Sequence, residues 1–215
     1  SIYVSQSNIS DWFFKKERKY FKKIIHTGNI LFAENIEKKT KDKKILYAVT
    51  MKDFENIQYV GVEMYYEYLD NLSLLNELAK NYNLKIIVKN HPSIEYLTQK
   101  LKKQFENLTF SDKKIQKLLN ETFCTISFSS TVIEDSLYSN KPVILLDRWK
   151  RYKHCKTISN SKFKNQAVYY INDEKKLINC INTLFKNEKI DFSFYTKSGI
   201  AKKNIANLLD ESLNS

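Results

Sequence analysis

Phe123-Cys-Thr-Ile-Ser-Phe-Ser-Ser-Thr-Val-Ile-Glu-Asp-Ser-Leu-Tyr-Ser-Asn-Lys-Pro-Val-Ile-Leu-Leu-Asp147 is the stretch whose reading decides the fold. Phe123 to Phe128 is a short apolar run of β-favouring side chains, closed by three hydroxyl residues, Ser129, Ser130 and Thr131. Val132, Ile133, Leu137 and Tyr138 then share one side of a helical pattern, and Asn140-Lys141-Pro142 stops it. Val143 to Leu146 reads as a second strand, buried on both faces. Strand, turn, helix, strand is one right-handed, parallel βαβ unit. Its turn opens a helix, where unpaired N–H groups and the helix dipole favour an anion. The unit therefore reads as a phosphate seat made with serines instead of glycines.

Outward from this unit the same alternation continues. Strands are predicted at 45–49, 84–88, 108–110 and 167–171, with helices at 63–81, 94–105, 174–185 and 199–213. Tyr66, Leu69, Leu72, Leu75 and Leu78 form the apolar side of the 63–81 helix, and Ser111-Asp112 is expected to cap another that runs to Leu119. Six strands alternating with helices predict an α/β fold with a doubly wound parallel sheet, Rossmann-like. Ser1 to Ser5 reads as a further strand or its tail. Asp11 to Ile25 reads as a basic amphipathic helix. Its Phe13, Phe14, Tyr20, Phe21, Ile24 and Ile25 oppose Lys15, Lys16, Arg18, Lys19, Lys22 and Lys23. Such a helix either packs its aromatic face on the core or lies on an anionic membrane. A charged linker at 37–44 divides an N-terminal segment, 1–42, from a nucleotide-binding domain, 43–215.

Composition narrows the function classes. At 215 residues the chain is one domain, or one domain plus part of another. Glycine (3) and proline (2) are scarce while Lys, Asn, Ile, Tyr and Phe abound, the bias of an AT-rich coding sequence. That bias inflates lysine, so the net charge of +12 speaks less for a polyanion partner than its size suggests. The charge still suits a phosphate-bearing ligand or an anionic membrane surface. Zinc-finger spacing and aromatic–basic RNA signatures are absent, and nucleic acid is not expected as a partner. Cys124, Cys155 and Cys180 are too widely spaced for a disulfide framework or metal centre, which fits a reducing, cytoplasmic compartment. No apolar run reaches membrane-spanning length, and no signal peptide is read. A start at Ser1 instead of Met reads as an excised piece of a longer protein.

Four polar clusters each follow a predicted strand: Thr50–Lys52, Lys89–His91, Ser129–Thr131 and Asp147–Arg148. Ligands of parallel sheets bind at the carboxyl ends of the strands, so the clusters share one edge. Thr50, Lys52 and Lys89 are accordingly candidates for phosphate contact. Pro92 holds His91 extended and starts the next helix, leaving His91 either a donor to a phosphate or leaving group, or a capping residue. One hydroxyl suffices for a helix cap, and Ser129, Ser130 and Thr131 offer three. Glu134, in the first turn of the helix, either accepts from ribose hydroxyls or complements the dipole. His26 and His154 read as bystanders. With no Asp-x-Asp motif, a metal is not expected.

Lys89-Asn-His91-Pro92 followed by Ser127-Phe-Ser-Ser-Thr-Val-Ile-Glu134 and Lys141-Pro142-Val-Ile resembles the C-terminal domain of GT-B-fold transferases. The likeness is to bacterial envelope families: CDP-glycerol glycerophosphotransferases, capsule polysaccharide transferases, and sialyl- or polysialyltransferases. It covers about 43–170. It implies that His91, Ser129, Ser130 and Thr131 hold the donor's phosphates and that Glu134 meets the ribose. It further implies a transferase that needs no metal or cofactor. The donor would be CMP-, CDP- or UDP-linked, and the acceptor a glycan or lipid-linked glycan at the inner face of the plasma membrane. Two departures stand out. Ser127-Phe-Ser-Ser replaces the common Asp-Tyr-Ser-Ser, and the acceptor domain is missing or reduced to residues 1–40. The alternatives are a non-catalytic nucleotide-binding module and a UDP-sugar 2-epimerase relative, the latter disfavoured by the lack of glycines at the hydroxyl turn.

Overall fold

The computed structural model describes residues 2–7, 9, 16–29, 43–50, 59–150, 155, 157, 166–186, 189–196 and 201–213. Two short strands come first, β1 (Ile2–Ser5) and β2 (Lys23–His26). A larger sheet takes β3 (Lys44–Ala48), β4 (Lys85–Lys89), β5 (Leu108–Phe110), β6 (Cys124–Ser127), β7 (Val143–Leu146) and β8 (Val168–Ile171). Its order is β5-β4-β3-β6-β7-β8, and every pairing is parallel. The six predicted strands are all present within a residue or so of their expected ends, and Phe123–Ser127 and Val143–Leu146 lie in the interior.

Period-2 alternation divides the sheet's side chains between two helical layers. Ile45, Tyr47, Ile86, Val88, Ile126, Ile144 and Leu146 join one core with α1 (Tyr59–Tyr82) and α5 (Glu174–Lys186). Leu46, Ala48 and Ile87 face α3 (Ile115–Glu121), while Val143, Leu145 and Val168 face α4 (Val132–Tyr138). Both faces of every central strand are covered, which is why these segments are apolar without a polar side. Tyr68 rather than Tyr66 turns inward from α1: Tyr66 is exposed, Tyr68 buried.

α4 is closed by a Schellman turn. Asn140 takes the left-handed conformation at φ 53°, and its N–H donates to Leu137 O at 3.0 Å. The Lys141 N–H then donates to Ser136 O at 2.9 Å, which satisfies two end carbonyls and turns the chain into β7. The expected helix at 94–105 is a 3-10 turn, Pro92–Leu97, followed by α2 (Thr98–Gln104). Ser111-Asp112 does not cap α3 directly: Lys114 precedes it, and the Ser111 hydroxyl accepts from Lys113 N instead.

The amphipathic helix expected over Asp11–Ile25 is not formed. Residues 11–15 lie outside the described residues, Glu17–Tyr20 is a 3-10 turn, and Lys23–His26 is a strand. β2 pairs in parallel with β1, Ile2 opposite Lys23 through Ser5 opposite His26. β-branched Ile24 and Ile25 fit this pleat better than a helix, and the strand partner decides the outcome. Phe21 stacks 5.0 Å from Tyr3, and Tyr20 points to solvent. Beyond β2, Gly28 takes φ 86°, where a Cβ would clash, so that its N–H can reach Gln6 O at 3.0 Å. Tyr138 of α4 donates to Gln6 O at 2.7 Å, and α6 (Ala201–Leu213) contributes Asn204 Nδ2 to Thr27 O at 3.2 Å. These contacts fasten β1, β2 and the turns that follow them to the large sheet's helical layer. Most of the predicted 37–44 linker falls outside the described residues, and no described helix is long and apolar enough to cross a membrane.

Candidate nucleotide and phosphate site

The chain runs outward from β3 through β4 to β5, then returns to lay β6 on the other side of β3. The two connections leave β3 and β6 in opposite directions, which opens a crevice at their carboxyl ends. Two hydroxyls stitch the crevice. Ser127 Oγ donates to Ala48 O at 2.9 Å, and the Ser129 N–H donates to Thr50 Oγ1 at 3.1 Å. The end of β6 is thus held to the last residue of β3, and the hydroxyl turn to Thr50, two residues beyond it.

Ser130 accepts from the Val132 N–H at 3.3 Å through its hydroxyl and from Ile133 N at 3.1 Å through its carbonyl. It is the residue that caps α4, as one of the three was expected to be. Thr131 is exposed and Ser129 half-buried. At seven residues α4 is short, so its dipole is weak. Glu134 is half-buried; burial first, then Asp135, raises its pKa. Its charge is felt by Tyr138 and by the Cys155 thiol, each pushed up to about 12 chiefly by burial.

β4 ends beside β3, with Val49 N donating to Lys89 O at 3.0 Å. Lys89 spends its ammonium on the neighbouring β5 loop, donating to Asp112 O at 3.2 Å and standing 3.9 Å from Glu95. His91 caps the 3-10 turn: its Nδ1 accepts from Ser93 N at 3.3 Å and lies 2.7 Å from Ser93 Oγ. Beneath it Asn90 is buried, accepting from Tyr68 OH at 2.7 Å and donating to Thr98 Oγ1 at 3.0 Å. Ser93 escaped the sequence reading, and Asn90 was read only as part of the Lys89–His91 cluster, with no role of its own. The signal was present in Lys-Asn-His-Pro-Ser, where two small polar residues flank the His-Pro pair.

On the β7 side, Tyr170 OH donates to Asp147 Oδ2 at 2.7 Å, which together with burial moves the phenol up to about 12. Arg148 is turned to α1, donating to Asp70 O at 3.0 Å. Lys52 and His154 lie outside the described residues. The structure therefore joins Thr50 directly to the hydroxyl turn, sets His91 on the adjoining strand end, and gives Lys89 partners of its own. A small cavity under α1, lined by Tyr47, Thr50, Glu67, Tyr68, Asn71 and Phe128, has room for about one or two waters. A nucleotide would have to lie on the crevice above it. Among the described residues no group of three His, Cys, Asp or Glu could hold a metal.

No family model matches the sequence, and no curated protein matches it either. Solved structures do. UDP-GlcNAc 2-epimerase from Methanocaldococcus jannaschii, in complex with UDP-GlcNAc and UDP, is similar at 17% identity and TM-score 0.61, over 97% of this chain and 60% of that one. S. aureus MnaA with UDP matches at 16% identity and TM-score 0.61, over 99% and 60%. The pneumococcal O-GlcNAc transferase GtfA, with UDP and GlcNAc, matches at 10% and 0.54, over 99% and 44%. The chain spans about half to three-fifths of the length of these neighbours. At such identities what is shared is the fold. The sheet order and these neighbours make the chain an α/β protein with a Rossmann-like, doubly wound parallel sheet, the fold it shares with them.

Proposed function

We propose that the chain is the donor-binding half of a transferase that moves a sugar or polyol phosphate from a nucleotide-activated donor to a cell-envelope glycan. The observation that carries this reading is the stitched crevice. Thr50, from the end of β3, holds the Ser129–Thr131 turn from the end of β6, and the His91 loop follows the adjacent β4. Polar donors fixed before a ligand arrives stabilise phosphate charge without reorganising, and that requires neither metal nor cofactor. Ser130 and Thr131 meet the phosphates, Glu134 the ribose, and His91 the oxygen that gains charge as the donor bond breaks. Capsule, lipooligosaccharide and teichoic-acid-like polymers are the acceptor classes in view, by resemblance of the His-Pro and Ser-Ser motifs.

A thermal-shift panel of CMP, CDP, UDP, GDP and ADP on this chain is the test, with CMP or CDP expected to stabilise before UDP. Equal or larger shifts with purine nucleotides would overturn the base preference, and no shift with any of them would leave a non-catalytic module. Ser130→Ala should weaken the best nucleotide by roughly one to two orders of magnitude, the worth of a hydrogen bond to a charged group. The chain alone should bind nucleotide and transfer nothing.

A UDP-sugar epimerase relative is the second reading, favoured by the higher TM-score, 0.61 with the M. jannaschii epimerase against 0.54 with the O-GlcNAc transferase. Preference for UDP over CDP in the same panel would keep this reading alongside a UDP-dependent transferase, and preference for CMP or CDP would set it aside. The missing glycines at the turn speak for the transferase.

A further inference from the structure

Ser93 belongs to no motif assigned above, yet it makes both contacts to the inner nitrogen of His91. The Ser93 N–H donates to Nδ1 at 3.3 Å, and the Ser93 hydroxyl lies 2.7 Å from the same atom. A backbone N–H can only donate. Nδ1 must therefore present its lone pair, the Ser93 O–H donates to it as well, and the ring proton resides on Nε2. The backbone is fixed in the same sense: His91 is extended at φ −63°, ψ 142°, and Pro92 follows. Ser93 is half-buried, close to the 3.9 Å pair of Lys89 and Glu95 that closes the outer side of the same loop.

We propose that Ser93 is the positioning residue of the site: it fixes His91 in the Nε2–H tautomer and so makes it a hydrogen-bond donor to an anionic oxygen, not a proton acceptor. This rests on the reading of His91 as a phosphate contact, and it narrows that reading. A ring whose outer nitrogen carries the proton can stabilise charge on a departing phosphate by donating a hydrogen bond but cannot, in that tautomer, take a proton from an acceptor hydroxyl. The base that activates the acceptor must then be another group. A merely structural cap would use the same tautomer, so CDP affinity separates the two roles: a structural cap alone would leave it unchanged in Ser93→Ala.

The experiment is long-range proton–nitrogen NMR of the histidine rings in the ¹⁵N-labelled chain, with His91→Gln used to assign the His91 signals. Wild type should show a protonated Nε2 and a bare Nδ1. Ser93→Ala should move the tautomer ratio about three- to tenfold toward Nδ1–H, the effect of one neutral hydrogen bond, and Ser93→Thr should restore it. CDP titrated into the same samples should bind Ser93→Ala several-fold more weakly and Ser93→Thr as wild type. A wild-type ring protonated at Nδ1, or a Ser93→Ala tautomer ratio equal to wild type, would overturn the proposal. If the ring behaves as stated but CDP, CMP and UDP all fail to bind wild type, the phosphate reading falls while the tautomer assignment stands.

Discussion

Asn90→Ala should be among the most costly single changes near the site, although Asn90 itself faces the interior. Its amide accepts from Tyr68 OH at 2.7 Å and donates to Thr98 Oγ1 at 3.0 Å, tying α1 to the start of α2 beneath the His91 loop. Tyr68 is buried, and burial holds its phenol protonated far above the usual tyrosine range. Removing the amide orphans that hydroxyl, at about 1–3 kcal/mol for a buried group. Thr98 is half-buried and can turn to water, adding less than about 1 kcal/mol. The sum, roughly 1–4 kcal/mol, is a large share of a domain's typical 5–15 kcal/mol and lowers Tm by on the order of 2–15 °C. Urea denaturation followed by circular dichroism measures it. Tyr68→Phe alone should cost about 1–2 kcal/mol, and the double variant should cost less than the sum by about 1–2 kcal/mol, because each single change leaves the other partner stranded. Single costs that add within about 0.5 kcal/mol would refute the claim that the two groups work as a pair.

Thr50→Val keeps the shape of the side chain and deletes the acceptor for Ser129 N. It should cost about 1 kcal/mol in stability and weaken CDP by roughly two- to tenfold; unchanged affinity in calorimetry would detach β3 from the site. Glu134 has a raised pKa, so between the ordinary carboxylate value and the raised one the folded state holds more protons than the unfolded. Its contribution is greatest below that window and is lost as pH rises through it. Glu134→Gln should flatten the fall in stability in that window, and parallel pH–stability curves for the two proteins would exclude the effect. The thiols of Cys124, Cys155 and Cys180 are all buried, with Cys124 and Cys155 pushed up to about 12. A disulfide reagent at pH 8 should label none of them until urea unfolds the chain; rapid labelling of one in the native state would contradict its burial.

The large sheet was legible because its strands are buried on both faces, so each is a short apolar run between turn residues, from Ile45-Leu-Tyr-Ala to Val143-Ile-Leu-Leu. The carboxyl-edge polar clusters followed from the same alternation. β2 was not legible. Lys22-Lys23-Ile24-Ile25 fits a helical wheel as well as a strand, and what selects the strand is Ile2–Ser5, more than a dozen residues away. The bond of Thr50 to Ser129 was equally hidden, because no local pattern records which strand will lie beside β3. Lys89 adds a contact that spacing alone could not foresee: its length lets it reach the β5 loop.

The stitching of the crevice also has a consequence for how the protein is made. Ser127 and Ala48, like Ser129 and Thr50, are 79 residues apart in the chain. Closing so long a loop has an entropic cost that only the finished β3–β6 pairing offsets, and such distant parallel contacts slow folding. During synthesis β3, β4 and β5 emerge as a sheet with one raw edge, and β6 must reach that edge before the crevice exists. The crevice therefore exists only once a long-range closure is made, and any ligand that recognises only the closed form would draw the nascent sheet toward completion by mass action.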